Sequence, residues 1–178
     1  MQKVTKWLTL VAVLIAATSC ISDDDLQPAP AIQVNSFCYG DQTVNFETIG
    51  AFRGETFQAS STAIRTPVTL IGDGVSLNSM DELEGEGPLI ILDFYGNSLD
   101  GFQTGLYEIS SLQESANVAV KYSVTYDATM TLQPFIGIDS GYVRVQRYST
   151  GYAITIDGMD QNGDEFHGTF LGNVPIIP

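Results

Sequence analysis

The segment Asp157-Gly158-Met159-Asp160-Gln161-Asn162-Gly163-Asp164-Glu165 holds the densest run of oxygen-bearing side chains that could ligate a metal. Calcium takes about six to eight oxygens, often from a tight acidic loop, so Asp160, Asn162 and Asp164 are its candidate ligands. The EF-hand pattern also needs Gly at its sixth position and Glu at its twelfth, and no frame here supplies both. Asp and Asn serve hairpin turns equally well, so the expectation is a turn without a cofactor, with calcium the weaker alternative. A second acidic group, Asp81, Glu82, Glu84 and Glu86, falls in Ser79–Gly87. It reads as a solvated loop with one helical turn at Met80–Glu84, and a cation or a basic partner is the less favoured use. Tyr142, Gln146 and Tyr148 share one face of an expected strand. Tyr rings beside polar groups stack on sugars or contact proteins, which makes these three the candidate ligand-binding residues. Cross-strand aromatic pairing is the simpler account.

Catalytic signatures are missing. The sequence has no Gly-x-Ser-x-Gly, His-Glu-x-x-His, P-loop or Gly-x-Gly-x-x-Gly. The single histidine, His167, alternates with Phe166 and is expected to face away from the core, without the partners a triad requires. Glycosidases need only two carboxylates about 5–10 Å apart, and sequence spacing singles out no pair. A hydrolase is therefore the least favoured reading, and no catalytic residue is assigned. The chain has 178 residues, 7 Lys+Arg and 21 Asp+Glu, for a formal net charge of −14. That length suits one domain. The charge excludes nucleic acid as a partner, because phosphate contacts need clustered basic residues. Two cysteines make neither a disulfide scaffold nor a four-Cys zinc site.

The first residues are an address. Lys3 and Lys6 precede an apolar run, Trp7–Ala17, that is too short for a membrane span of about 20 residues. It has the form of a signal peptide. The run ends in Ala17-Thr18-Ser19-Cys20, which resembles the lipobox of bacterial lipoproteins, although Ala17 stands where Leu is commonest. The resemblance implies cleavage after residue 19, a diacylglycerol on the Cys20 thiol and an acyl chain on its new amino group. Several acyl chains give stable anchoring where one does not. The following Ser22-Asp23-Asp24-Asp25 resembles the surface-export signal of lipoproteins from Bacteroidota. A Pro-rich spacer, Leu26-Gln27-Pro28-Ala29-Pro30, completes a tether over 20–31. Loss of residues 1–19 removes two lysines and no acid, leaving five basic and 21 acidic residues and a net charge of −16. Membrane attachment then depends on lipid, since no basic patch remains to bind an anionic surface. Cys38 has no disulfide partner once Cys20 is lipidated, and a buried, inert thiol is expected.

From residue 32 to 178 the hydrophobic pattern has period two, the signature of strands. Val118, Val120, Tyr122, Val124 and Tyr126 fall on one face and Ala119, Lys121, Ser123 and Thr125 on the other. Tyr142–Tyr148, Tyr152–Met159 and the stretch around Phe166–Phe170 form a C-terminal three-stranded meander, its second turn at Asn162-Gly163. Leu89–Tyr95 is a near-continuous apolar run suited to a central strand. About nine or ten strands with turns at this spacing predict a single all-β domain, an antiparallel sandwich or barrel. Gly141-Tyr142-Val143-Arg144-Val145, Tyr152-Ala153-Ile154-Thr155-Ile156 and Gly168-Thr169-Phe170-Leu171-Gly172 resemble the closing strands of small all-β cell-surface lipoproteins of Bacteroidota. That resemblance implies an outer-membrane, outward-facing location and assigns no activity. The functional expectation is a non-enzymatic binding or accessory module for a small apolar or glycan ligand. A structural or adhesion component that contacts surface proteins is the alternative.

Overall fold

The computed structural model describes residues 34–40, 44–97, 100–149 and 151–177. The signal peptide, Cys20 and the tether lie outside the described residues. Alternation sets the architecture: every second side chain turns into one core, while β4, β6 and β8 also bury neighbours on the outer face, among them Thr69, Leu89, Tyr95 and Ser123. The strands are β1 (Ser36–Tyr39), β2 (Val44–Arg53), β3 (Phe57–Gln58), β4 (Ile64–Gly72), β5 (Val75–Leu77) and β6 (Leu83–Gly96). They continue with β7 (Gly105–Ile109), β8 (Asn117–Asp127), β9 (Ile136–Ile138), β10 (Ser140–Tyr148), β11 (Gly151–Met159) and β12 (Glu165–Gly172).

Nine of these close into a barrel in the order β1, β2, β4, β6, β8, β7, β10, β11, β12 and back to β1. The closing bond is β4 to β6, from Ile64 opposite Gly96 to Ile71 opposite Leu89. Closure removes the unpaired sheet edges that an open sandwich would expose. β3, β5 and β9 bond outside the ring to β4, β6 and β8. The sequence predicted an antiparallel sheet, and one pairing departs from it: β7 and β8 are parallel. Only their tips overlap, Glu108 with Asn117 and Ile109 with Val118, so the short loop between them suffices without a long crossover. β9 continues the wall along the same edge of β8, with Ile138 opposite Val120 and Ile136 opposite Tyr122.

The meander is β10–β11–β12. Its second turn departs from the Asn-Gly expectation: Gly163 alone has a positive φ, 87°. Gly163 N–H donates to the Asp160 carbonyl at 3.1 Å, so the turn ends in a left-handed glycine, the three-residue hairpin form. The acidic loop expected at Ser79–Gly87 is a hairpin instead. β6 begins at Leu83, and Asp81 takes a positive φ of 60° in the tip, where no helical turn forms. Asn78 nucleates that tip by accepting the Met80 and Glu82 N–H groups at 2.8 and 3.1 Å on its side chain.

Side chains fill the barrel. Phe37, Phe46, Tyr122 and Phe166 pack ring on ring near one end, with Tyr122 and Phe166 centroids 4.6 Å apart. Phe94, Phe102, Tyr107 and Tyr152 do the same near the other. Val68, Leu70, Ile90, Leu92, Ile154 and Ile156 fill the space between. The second end is plugged by the segment after β6. Asp100 accepts the Phe102 N–H at 2.9 Å and the Thr66 hydroxyl at 3.1 Å and pairs with Arg53. Tyr107 accepts the Gln103 N–H and donates to the Gly101 carbonyl, both at 2.9 Å. These bonds hold Phe102 inside the barrel.

Candidate functional site

The opposite end is a mouth. β1 ends there at Tyr39, β11 turns into β12 there, and β9 forms its rim. A cleft of about 300 Å³ lies between them, lined by Tyr39, Phe135, Ile136, Asp139, Asp160 and Asn162 among others. That volume is at the lower end of ligand sites. A smaller cleft of about 210 Å³ flanks the plugged end, beside Tyr95, Gln103, Leu106 and Tyr107.

Asp160 anchors the mouth. Its residue is buried, and four donors reach its carboxylate. Asn162 N–H and Asp164 N–H bond one oxygen at 2.8 and 3.0 Å. The Tyr39 hydroxyl and the Asn162 amide bond the other at 2.8 and 3.1 Å. Desolvation pushes the Asp160 carboxyl up, but the bonds from Tyr39, Asp164 and Asn162 together outweigh it and hold the group below the usual carboxylate range. The same bond to Asp160, followed by burial, pushes the Tyr39 phenol up to about 12. Tyr39 also donates to Asp164 at 3.2 Å. Beneath it, the fully buried Tyr122 hydroxyl reaches no partner at good hydrogen-bond geometry, although it lies close enough to the Tyr39 phenol for the two groups to interact, which, after burial, helps push Tyr122 up. Asp139, on the rim after β9, is exposed, and its carboxylate has no partner among the described residues. Lys121 rises from β8 nearby, with Nζ 4.8 Å from the centre of the Phe135 ring.

The three candidate calcium residues thus come together, but in the service of the turn. Asp160 already accepts four hydrogen bonds, so an ion there would have to displace the donors that shape the hairpin. Asp164 keeps one oxygen free of the bonds described. Tyr142, Gln146 and Tyr148 all point outward from β10. Tyr142 sits opposite Asp157 on β11 and Glu108 on β7. The two tyrosines are six positions apart, about 20 Å at strand rise, so they do not converge on one small ligand. Among the described residues neither ring pairs with another, so the expected aromatic pairing is not seen there. The other acidic group stabilises its hairpin: Ser76 donates to Glu84 at 3.1 Å and Asn78 to Glu82 at 3.3 Å.

Sequence reasoning missed the role of Tyr39, and it missed a row on the outer wall. Register places Asn45, Cys38, His167 and Asp157 side by side on four neighbouring strands. Cys38 is half-buried instead of lying in the core, and its thiol donates to Asn45 at 2.6 Å. His167 does face outward, as expected. Two strand spacings put the Cys38 and Asp157 Cβ atoms about 10 Å apart, too far for one metal to bridge at bond lengths near 2 Å. No signal in the sequence could have aligned these residues, since register is a property of the closed sheet.

No family model, curated protein or solved structure matches the chain. The assignment of the site therefore rests on its geometry.

Proposed function

We propose that this chain is a lipid-anchored lipoprotein, displayed outward from the outer membrane through Cys20, whose barrel mouth binds a small glycan without chemical change. One observation carries the reading: the barrel interior is filled, and the mouth offers two aromatic rings, Tyr39 and Phe135, beside carboxylate and carboxamide groups. Aromatic faces stack on the apolar face of a sugar ring, while carboxylates and carboxamides hold its hydroxyls. A filled interior favours the glycan over an apolar ligand held inside the barrel. Binding is favoured over hydrolysis because Asp160 is held ionised by its donors, whereas a glycosidase acid needs a raised carboxyl.

Calorimetric titration of the full-length protein with a panel of neutral oligosaccharides tests the ligand. Measurable heat that is lost in Phe135→Ala supports the reading, and silence across the panel refutes it. Labelled fatty acid should enter the wild-type protein and not Cys20→Ser. A second reading, adhesion to a surface protein, is favoured by the apolar side chains of Met130 and Leu132 on the loop before β9, the latter 87% exposed.

A further inference from the structure

We propose that the outer wall at the plugged end of the barrel rests on the bilayer that carries the Cys20 anchor, which holds the mouth away from the membrane; this rests on the lipid-anchor reading above and goes beyond it. Three observations lead there.

The first is an apolar patch. Val34, Ile49, Leu171 and Ile176 all expose their side chains, and so does Tyr148. Asn35 gathers the first three: its carbonyl accepts the Thr48 N–H at 2.8 Å, and its side chain accepts the Leu171 N–H at 2.6 Å. Ala153 of β11 stands opposite Leu171, and Tyr148 ends β10 opposite Gly151. Ile176 lies on the tail that pairs with Arg53 at the end of β2. From β2 through β1, β12 and β11 to β10, this wall is about 19 Å wide at the spacing of paired strands. Large exposed apolar patches mark contacts with proteins or membranes.

The second is where the chain enters the barrel. Val34 belongs to the patch and stands just before β1, which runs from there to the mouth at Tyr39. Cys20 is 14 positions earlier, a reach of at most about 50 Å at full extension. A lipid at Cys20 therefore keeps the patch within reach of the bilayer. Contact is then intramolecular in effect, so a weak seat is still populated, and the bilayer is favoured over a freely diffusing protein.

The third is the placement of charge. Arg144 and Arg147 are exposed on β10 beside Tyr148, opposite Thr155 and Tyr152. Glu47 is the acid on the outer face of β2, one step from Ile49 towards the mouth. The mouth itself carries Asp139, Asp160, Asp164 and Glu165 at its rim and turn. Headgroup phosphates attract exposed Arg and repel carboxylates. Tyr and Arg side chains, apolar along their length and polar at the tip, suit the headgroup layer. The seating that covers the apolar side chains thus also sets the acidic end away from the surface.

The test uses the chain as cells lipidate it, reconstituted into phospholipid vesicles with or without bromine on the acyl chains near the headgroups. In a Cys38→Ser background, an environment-sensitive fluorophore is placed at Leu171→Cys or, on the mouth turn, at Gln161→Cys. Interfacial contacts bury apolar groups about 5–10 Å deep, so the Leu171 label should lose about half or more of its emission and the Gln161 label none. Ile49→Asn should restore emission at the Leu171 label. Met80→Asn, exposed at the tip of the β5–β6 hairpin, should leave the quenching unchanged. With protein that floats with the vesicles, no quenching at Leu171, or equal quenching at both positions, overturns the seat and leaves the anchor standing. Quenching that Ile49→Asn leaves intact also overturns it. A Leu171 label shielded from aqueous iodide but untouched by bromine means that a protein covers the patch, and overturns it likewise. Protein that fails to float with the vesicles overturns both readings.

Discussion

Replacing Tyr122 by Phe should stabilise the barrel. The Tyr122 side chain is fully buried, with its ring 4.6 Å from Phe166, 5.1 Å from Tyr39 and 6.2 Å from Phe46 by centroid. Phe keeps these ring contacts. What it removes is a hydroxyl that has left water and whose neighbour, the Tyr39 phenol, is not at good hydrogen-bond geometry. Leaving such a group unpaired costs about 1–3 kcal/mol, while the space vacated by one oxygen costs little. The net gain expected is about 1–2 kcal/mol. For a domain of this size each kcal/mol moves the melting temperature by roughly 2–4 °C, so Tyr122→Phe should melt roughly 2–8 °C higher. Trp7, the only tryptophan, precedes the barrel, so far-UV circular dichroism and tyrosine signals are the probes for thermal and urea unfolding. A lower melting temperature in Tyr122→Phe would refute the reasoning, because it would mean that the hydroxyl is bonded in solution, to Tyr39 or to water.

Phe166→Ala empties the centre of the same cluster, where the side chain touches Phe37, Phe46 and Tyr122, and should cost about 3–5 kcal/mol in urea unfolding. Gly168→Ala should cost about 1–3 kcal/mol, because a Cβ there runs into the Phe37 ring and the Ser36 carbonyl of β1. Alkali should weaken the fold in a defined window. The Tyr39 phenol is raised from 10.0 to about 12 in the folded protein, so its contribution is whole below pH 10 and is lost as pH climbs towards 12. Tyr39→Phe should flatten that stretch of the stability curve. Acid acts with the opposite sign at Asp160: its folded carboxyl is lowered, so its contribution is present above the ordinary carboxylate range and lost as pH falls through the lowered value. Hydrogen exchange at Asn162 and Asp164 N–H should accelerate there, and slow acid exchange at both would contradict the role given to Asp160.

Most strands and their inward faces were legible in the residues, although Ser123, on the polar face of β8, is buried as well. Period-two alternation in β8 names Val118, Val120 and Tyr122 as buried and Lys121 as exposed, since a strand has only two faces and water decides which is which. The meander was legible for the same reason, because each of its pairings joins neighbours in sequence across a short turn. Alternation failed where a strand carries no apolar contrast: Glu84 and Glu86 lie on the part of β6 that extends past the barrel, and their polarity imitated a loop. Closure of the sheet came from long-range pairing instead. The β4–β6 bond skips a strand and the bond of β1 to β12 joins the two ends of the domain, while the parallel tips of β7 and β8 replace the hairpin that two consecutive strands suggest, and no local preference records which edge a strand will meet. The mouth depends on those choices. Tyr39 and Asp160 stand 121 residues apart and meet because β1 is laid beside β12 in one register; a slip of a single residue would turn Tyr39 to the opposite face and leave Asp160 without it.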